Sequence, residues 1–272
     1  MPSLNVLFWN VQKKDLITQI TNLVESKDVD ILILAENPVS SERLVDVLST
    51  VRFGKAYTSF SKCEKITIIT RFSNHLIKPI EEDPRLTIRQ VSIPGIDPFL
   101  LTALHLPDKM SADEESQSEN ASSVATQLII AENRLGLKRH LVVGDFNMNP
   151  FERGMIKANG FHGTMSSEIA SKGARTVQGK SYPYFYNPTW GLFGDLNKEA
   201  SGTYYYRKAE HVCYEWNLFD QVLIRPSLIA NFVKESLTIV QQDSVSSLIK
   251  RNSQPNKNAY SDHLPLFFTL NF

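Results

Sequence analysis

Short apolar runs rich in β-branched residues recur along the whole chain and constrain its fold more than any other feature. The runs that we predict as strands are residues 4–8, 31–34, 66–70, 99–104, 141–143, 219–224 and 264–270. Several are continuously apolar, which is typical of strands covered on both faces. Helical patterns lie between them, at 15–26, 41–49, 121–135 and near 151–158, and Ser40 or Ser41 is suited to cap the second. Strands that alternate with helices predict a layered α/β architecture.

The charge of the chain is balanced, with 29 Lys plus Arg against 29 Asp plus Glu in 272 residues. This balance argues against a protein that coats nucleic acid through bulk charge, so a polyanion would be held locally by a few residues or a metal. The 15 Phe, 9 Tyr and 3 Trp exclude disorder as the dominant state. Cys63 and Cys213 are too few for a disulfide framework or a structural zinc site.

The sequence also carries expectations about location and surface. No apolar run approaches the roughly 20 residues that cross a bilayer, and the first residues lack the pattern of a signal peptide. We therefore expect a cytoplasmic protein with no membrane partner. The acidic stretch 108–119 is interpreted as a solvated loop or the start of the following helix. The basic stretch 250–257 fits a surface loop or a loop that faces the substrate equally well.

Polar side chains interrupt the apolar strands where the strands end or begin. They are Asn10, Glu36, His105, Asp145, Asn147, Asp262 and His263. Taken singly, each has an ordinary explanation as a turn residue, a helix cap or a buried histidine. Their recurrence at strand ends, which is where α/β proteins place their sites, indicates one functional site.

The chemistry of this set is coherent. The carboxylates of Glu36, Asp145 and Asp262, with the amides of Asn10 and Asn147, suit Mg²⁺, Mn²⁺ or Ca²⁺ better than zinc. A metal that bridges phosphate oxygens, together with carboxylates that orient water, is what phosphoester hydrolysis needs. Because the set extends from residue 10 to residue 263, we expect a single domain over 1–272.

The ordered motifs resemble the endonuclease/exonuclease/phosphatase superfamily, which has the deoxyribonuclease I-like fold. They are Trp9-Asn10-Val11-Gln12, Ala35-Glu36, Ala103-Leu104-His105, Gly144-Asp145-Phe146-Asn147, Phe219-Asp220-Gln221-Val222 and Ser261-Asp262-His263. The resemblance spans essentially the whole chain. It implies a four-layer α/β sandwich of two mixed, mainly antiparallel sheets packed face to face with helices outside.

The resemblance also implies metal and water roles. Glu36 is expected to be the principal metal ligand, Asp262 to line the metal site, and Asn10 to support the metal or the scissile phosphate. Asp145 is expected to orient or deprotonate the attacking water, and Asn147 to hold the phosphate beside it. The implied cofactor is Mg²⁺ or Mn²⁺, with Ca²⁺ as an alternative. Gln12 stands where some members carry a carboxylate ligand, and this weakens the case for a second tight metal position.

The same resemblance implies roles for two histidines, His105 and His263. His263 is expected to contact the phosphate as an acid/base group, with Asp220 fixing its tautomer. His105 is expected to contact the phosphate or to assist the leaving group. Glu64 occupies the place of a carboxylate partner for His105, although an exposed charge at the strand edge explains it equally simply.

Three further residues are candidates for binding substrate. Arg71 closes a predicted strand, where it could reach a phosphate or simply cover a helix. Tyr205 and Arg207 belong to an aromatic region, 182–190 and 203–207, in which rings could stack on bases. The alternative is a loop that buries its rings against the edge of a sheet.

These observations lead to one main functional expectation and two alternatives. The main expectation is a metal-dependent phosphodiesterase, specifically a nuclease that hydrolyses DNA or RNA through a metal-activated water. The first alternative is a phosphatase or phosphodiesterase acting on inositol phosphates, phospholipid headgroups or small nucleotides. The second is a catalytically silent binding protein, and it is disfavoured because none of the main motif positions has decayed.

Overall fold

The computed structural model of the protein describes residues 2–51, 54–196 and 200–272. Its helices are α1 (Ile17–Ser26), α2 (Ser41–Ser49), α3 (Glu114–Leu135), α4 (Arg153–Ile156) and α5 (Ser167–Ala170), with short 3-10 turns at Asn74–Leu76, Pro188–Leu192 and Pro226–Asn231. The strands of the first half are β1 (Ser3–Asn10), β2 (Ile31–Ala35), β3 (Ile66–Thr70), β4 (Ile77–Asp83), β5 (Leu86–Val91), β6 (Phe99–His105) and β7 (His140–Asp145). Those of the second half are β8 (Gly163–Thr164), β9 (Ala174–Val177), β10 (Lys180–Pro183), β11 (Phe185–Tyr186), β12 (Tyr204–Tyr205), β13 (Trp216–Asn217), β14 (Asp220–Ile224), β15 (Phe232–Ile239) and β16 (Leu266–Asn271).

Two mixed sheets form the centre of the fold. The five-stranded sheet has the order β15-β16-β1-β2-β3, in which only β1 and β2 are parallel neighbours. The seven-stranded sheet has the order β4-β5-β6-β7-β14-β11-β8, in which β6 and β7, and β11 and β8, are the parallel pairs. Two-stranded ribbons, β9–β10 and β12–β13, complete the strands. The predicted pair of mixed, mainly antiparallel sheets is therefore confirmed.

Alternate residues of the central strand β7 enter two different cores. Leu141 and Val143 belong to the larger core, which also contains Phe8 and Trp9 of β1 and lies between the sheets. Val142 belongs to a smaller core beneath α3. Because both faces of β7 are covered, its sequence is a continuous apolar run rather than an alternating one.

Each strand predicted from an apolar run is present, and the predicted helix at 41–49 has the observed bounds of α2. The side chain of Ser40 caps α2 by accepting a hydrogen bond from the backbone N–H of Arg43. Helix α3 begins at Glu114 rather than at the predicted residue 121, because Asp113 caps it through the N–H of Ser116. The helix predicted near 151–158 is only the four residues of α4.

The acidic stretch 108–119 therefore includes the start of a helix, one of its two expected forms. Acidic side chains in the first turn of α3, Glu114 and Glu115, are favourable beside the partial positive charge of a helix N-terminus. Within the described residues, no helix is both long and apolar enough to span a membrane.

Gly144 gives a test of the close packing between β6 and β7. A Cβ at this position would lie 2.0 Å from the carbonyl oxygen of Leu104, so the strands would have to move apart. We expect Gly144→Ala to lower the free energy of unfolding by about 1–3 kcal/mol, the usual cost of overpacking, as measured by chemical denaturation. Gly191→Ala is the control, since its Cβ would meet no atom within 4 Å. Equal stability of the two variants would contradict this view of the β6–β7 contact.

Candidate active site

Three of the predicted residues lie side by side across the seven-stranded sheet. Asp145 at the end of β7 is paired in register with His105 at the end of β6 and with Asp220 at the start of β14. Parallel β6 and β7 bring their carboxyl ends to one edge, and antiparallel β14 brings its amino end to the same edge. All three side chains are buried, and Asp220 is completely so. The sheet register alone therefore assembles this part of the site.

The five-stranded sheet contributes the facing residues. Asn10 is the last residue of β1, and its Nδ2 donates a hydrogen bond of 3.0 Å to Oδ2 of Asp145. Glu36 directly follows β2, and its Oε1 lies 3.4 Å from Nε2 of His105. These two contacts join the sheets at the end where the motifs meet. The backbone of Glu36 has φ +52, a left-handed conformation that is uncommon for a residue other than glycine and is frequent at functional sites.

Asp145 is the centre of the polar cluster. Its Oδ2 lies 3.7 Å from Nε2 of His105 and 3.7 Å from Nε2 of His263, in addition to the bond from Asn10. Its other oxygen, Oδ1, accepts the backbone N–H of Asn147 at 2.9 Å. Asn147 has φ +52, and its Nδ2 donates to the carbonyl oxygen of Leu106 at 2.9 Å. The turn after β7 thus holds Asn147 beside the carboxylate of Asp145.

His263 and Asp220 form a buried hydrogen-bonded pair. Nδ1 of His263 lies 2.8 Å from Oδ2 of Asp220. Burial alone would lower the pKa of His263, but attraction to the carboxylates of Asp220 and Asp145 outweighs burial and raises the pKa to about 10. The two carboxylates therefore favour the protonated imidazole in the metal-free protein, with Nδ1 facing Asp220 and Nε2 on the side of Asp145. Burial also raises the pKa of Asp220.

Neighbouring hydrogen bonds fix the loop that carries His263. Trp9 Nε1 donates to the carbonyl oxygen of His263 at 2.9 Å, and Ser261 Oγ donates to that of Asn10 at 2.6 Å. The same Ser261 oxygen accepts the N–H of His263 at 3.0 Å. Ser261 of the Ser-Asp-His motif is therefore a structural link between this loop and β1.

Two groups of side chains could hold a divalent cation. Ligand atoms of Asp145, Asp220 and His263 lie within 4.8 Å of one another, the one such group of three among the described residues. Glu36 and Asp262 do not belong to it. A second group includes Asp262, whose Oδ2 accepts a bond of 2.8 Å from Nε2 of Gln12. The amide oxygen of Gln12 is buried, and no donor of the described residues reaches it.

Tyr204 enters the site although the sequence analysis did not select it. Its ring packs against that of His263, with centroids 4.7 Å apart, and stacks on Phe219 at 5.3 Å. Burial, with the negative charge of Asp262, raises the pKa of Tyr204 to about 12. Sequence reasoning missed Tyr204 because neighbouring side chains of a strand point to opposite faces, and the sequence does not reveal which of three consecutive tyrosines faces inward.

Tyr205 and Arg207 take the other side of this segment. The hydroxyl of Tyr205 donates to Oε2 of Glu215 at 2.9 Å, and its ring contacts Trp216. Arg207, 76% exposed, lies 3.6 Å from the same glutamate. Neither is brought to His263. In the stretch 182–190, Phe185 and Tyr186 form β11 inside the seven-stranded sheet, and their buried rings belong to the cores of the fold rather than to a loop against a sheet edge.

Arg71 and Glu64 are also not brought into the cluster. Arg71 follows the end of β3 that pairs with Ile31, opposite the end near Glu36, and it forms ion pairs with Asp28 and Asp30. Antiparallel β3 runs away from the site, and the sequence alone does not give this direction. Glu64 is exposed, and the carboxylates within ion-pair distance of His105 are those of Glu36 and Asp145.

The basic stretch 250–257 is attached beside the site. Nζ of Lys14, in the loop after β1, donates to the carbonyl oxygens of Lys257 and Tyr260. This contact holds the stretch next to the loop that carries Gln12 but brings none of its side chains to Asp145.

Comparison with known proteins identifies the fold. No protein-family model and no curated protein sequence matches the chain. Among solved structures, truncated TDP2 from Caenorhabditis elegans aligns over 99% of this chain and 98% of its own, with a TM-score of 0.58 and 17% identity. An endonuclease/exonuclease/phosphatase family protein from Bacteroides thetaiotaomicron aligns over 99% and 98%, with a TM-score of 0.54 and 14% identity. The chain has the deoxyribonuclease I-like fold.

A third solved structure has the same architecture. The 3′ phosphatase NExo from Neisseria aligns over 99% of this chain and 100% of its own, with a TM-score of 0.57 and 13% identity. The deoxyribonuclease I-like fold therefore extends over the full alignment, as the resemblance of the motifs implied. At these identities the similarity establishes the fold and leaves the activity to be argued from the residues.

The pair of His263 and Asp220 can be tested by titration. Asp220→Asn removes a charge that stabilises the imidazolium, so the pKa of His263 should fall from about 10 toward the ordinary value near 6.5. NMR titration of the His263 ring in the metal-free protein measures this change. His140 is the internal control, because it lies at the other end of β7, about 16 Å away along the strand. An unchanged midpoint for His263 would exclude Asp220 as the cause.

Proposed function

We propose that this chain is a divalent-metal-dependent phosphodiesterase, and more specifically a nuclease. The observation that carries the proposal is the convergence on Oδ2 of Asp145, which is 3.0 Å from an amide donor of Asn10 and 3.7 Å from Nε2 of each site histidine. A carboxylate between two imidazoles and an amide is suited to orient a water and to accept its proton beside a bound phosphate.

Each of the remaining side chains has its own proposed role toward the phosphate. His263, positively charged and held by Asp220, donates from Nε2 to a phosphate oxygen, and its charge offsets the negative charge that develops there. Asn147 and Asn10 position the phosphate through their amides. His105, held near Glu36, is placed to assist the leaving oxygen. Positioned acid–base groups of this kind contribute about 10²–10⁴-fold in rate.

The oxygen donors near Asp262 fit a hard cation. Gln12 presents a buried amide oxygen that receives no hydrogen bond from the described part of the chain, and the carboxylate of Asp262 accepts from the amide nitrogen of the same side chain. Glu36 provides a further carboxylate, which is 22% exposed and lies 3.4 Å from Nε2 of His105. Carboxylate and amide oxygens are the usual ligands of Mg²⁺, Mn²⁺ and Ca²⁺. When bound, such a cation supplies positive charge that polarises the phosphate and lowers the pKa of water.

Nucleic acid is the substrate class that we propose. NExo, which shares the fold, is described as bound to a product DNA hairpin. The balanced charge of this chain is compatible with a strand held at the site rather than over a broad surface. The description of NExo as a 3′ phosphatase supports a second candidate, removal of a terminal phosphate from DNA.

Cleavage assays with Asp145→Asn test the proposal. The amide cannot accept a proton, so Mg²⁺-dependent cleavage of single- or double-stranded DNA or RNA should fall by about 10²–10⁴-fold. Asp97→Asn is the matched control, because its side chain is 84% exposed and its oxygen lies as far as 4.0 Å from the guanidinium of Arg139. Equal activity of wild type and Asp145→Asn, or full activity in a chelator, would refute the nuclease. Release of phosphate from 3′-phosphorylated DNA without internal cleavage would favour the phosphatase.

The metal assignment is tested by comparing two glutamates. Glu36→Gln removes a carboxylate ligand, so the Mn²⁺ concentration that gives half-maximal thermal stabilisation should rise about 10-fold or more. Glu64→Gln, which alters an exposed carboxylate, should leave that concentration unchanged. If the two variants behaved alike, Glu36 would not be a metal ligand.

A further inference from the structure

The ribbon of β12 and β13 holds Tyr204 over the catalytic edge of the sandwich. Tyr204 pairs with Asn217 within the ribbon and forms a separate backbone bridge to His263. The N–H of Leu264 donates to the carbonyl oxygen of Thr203 at 2.8 Å, which extends the same contact. The backbone thus fixes Tyr204 directly beside His263, independently of its side chain.

The ring of Tyr204 is wedged among site residues, while its hydroxyl has no hydrogen-bond partner within the described residues. The ring contacts His263 at 4.7 Å and Phe219 at 5.3 Å. The site carboxylates whose charges act on the phenol are Asp262 and Asp145. A tyrosine hydroxyl commonly has a hydrogen-bond partner, whereas that of Tyr204, a residue that is only partly buried, has none among the described residues and is available to a ligand. The adjacent Tyr205 follows the usual pattern, since its hydroxyl donates to Glu215.

A tyrosine hydroxyl is suited to this position because it adds a donor without adding charge. A phenol is neutral at neutral pH, and it therefore does not repel a phosphate that already lies among carboxylates. A carboxylate cannot donate there, and a lysine would compete for the same acids. The unused donor thus matches an anionic oxygen more closely than any group of the protein.

Resting on the proposed function, we propose that the hydroxyl of Tyr204 donates a hydrogen bond to a non-bridging oxygen of the substrate phosphate beside His263. Tyr204 is then a further catalytic residue of the site, next to the histidine on which its ring packs. A purely structural role, in which the ring only supports His263, is the alternative. The two roles differ in the hydroxyl alone, because both need the ring.

Tyr204→Phe separates these roles, since it keeps the ring and removes the hydroxyl. The chain offers a matched control in Tyr184→Phe, whose ring also stacks on a histidine, His162, at 4.1 Å. Tyr184 is remote from the site, because its carbonyl accepts from Arg225, beyond the end of β14 opposite Asp220. The readouts are kcat/KM on a single-stranded DNA oligonucleotide with Mg²⁺, the melting temperature, and the affinity for inorganic phosphate by calorimetry in the presence of Mn²⁺.

We expect Tyr204→Phe to lower kcat/KM about 10- to 100-fold, the loss that accompanies removal of one hydrogen bond to a charged group, and to weaken phosphate binding. Its melting temperature should match that of wild type, and Tyr184→Phe should keep both activity and phosphate affinity. The proposal is overturned if Tyr204→Phe stays within twofold of wild type in both readouts, or if both variants lose activity equally.

The outcomes also separate this inference from the proposed nuclease. If wild type cleaves DNA and Asp145→Asn does not, an active Tyr204→Phe refutes only the role of Tyr204. If wild type cleaves no nucleic acid, the proposed nuclease activity is refuted, and the role of Tyr204 is judged from phosphate affinity. Weaker phosphate binding by Tyr204→Phe than by wild type would then still support the hydroxyl as a donor to phosphate. Failure of wild type to bind phosphate as well would overturn both.

Discussion

The contact between Asn10 and Asp145 is the constraint on which the candidate site depends, because it joins the two sheets at the edge where the motifs meet. Each sheet presents half of the polar residues, and neither half has an arrangement suited to hydrolysis alone. The bond from Asn10 Nδ2 to Asp145 Oδ2 occurs between side chains that are 3% and 1% exposed. Water therefore competes little for it, and an unpaired carboxylate at this depth would be costly.

The mixture of parallel and antiparallel neighbours explains how distant motifs reach the same edge. Parallel pairs align the ends of β1 with β2 and of β6 with β7. Antiparallel β14 and β16 then bring the beginnings of their strands, and hence Asp220 and the residues before Leu266, to that edge. In an all-parallel sheet, residues that precede a strand would lie at the opposite edge from those that follow one. The sheet topology therefore determines which polar residues lie together at this edge.

The sequence was informative where burial or a motif constrained the residues. It was uninformative where the position of a residue depended on the direction in which its strand runs or its side chain points. Continuous apolar runs located the central strands, and the Gly-Asp-Phe-Asn and Ser-Asp-His motifs located Asp145 and His263. The outermost pair of strands at one side of the seven-stranded sheet, β4 and β5, was not predicted, because polar residues such as Glu82 and Arg89, which pair with each other, interrupt their apolar pattern. Arg71 was selected for its charge, but whether it lies at the catalytic edge depends on the antiparallel pairing of β3.

The alternation along β12 had the same effect at the scale of one residue. A shift of one position exchanges the two faces of a strand. The sequence could therefore indicate an aromatic segment beside the site without deciding whether Tyr204 or Tyr205 faces it. The backbone bridge to His263 decides it.

Two charge clusters lie at opposite ends of β7, and they differ in how their negative charge is balanced. At the far end, Glu132 accepts from Arg225 and lies 2.8 Å from His140, so its charge is paired by a permanent cation. At the edge beside Asp145, the four carboxylates lie around His105 and His263; they belong to Glu36, Asp145, Asp220 and Asp262. The formal charge of this cluster is negative even if both histidines are protonated. A negative cluster cannot attract a phosphate by itself. A bound divalent cation would reverse this balance locally, in a chain whose formal net charge is zero.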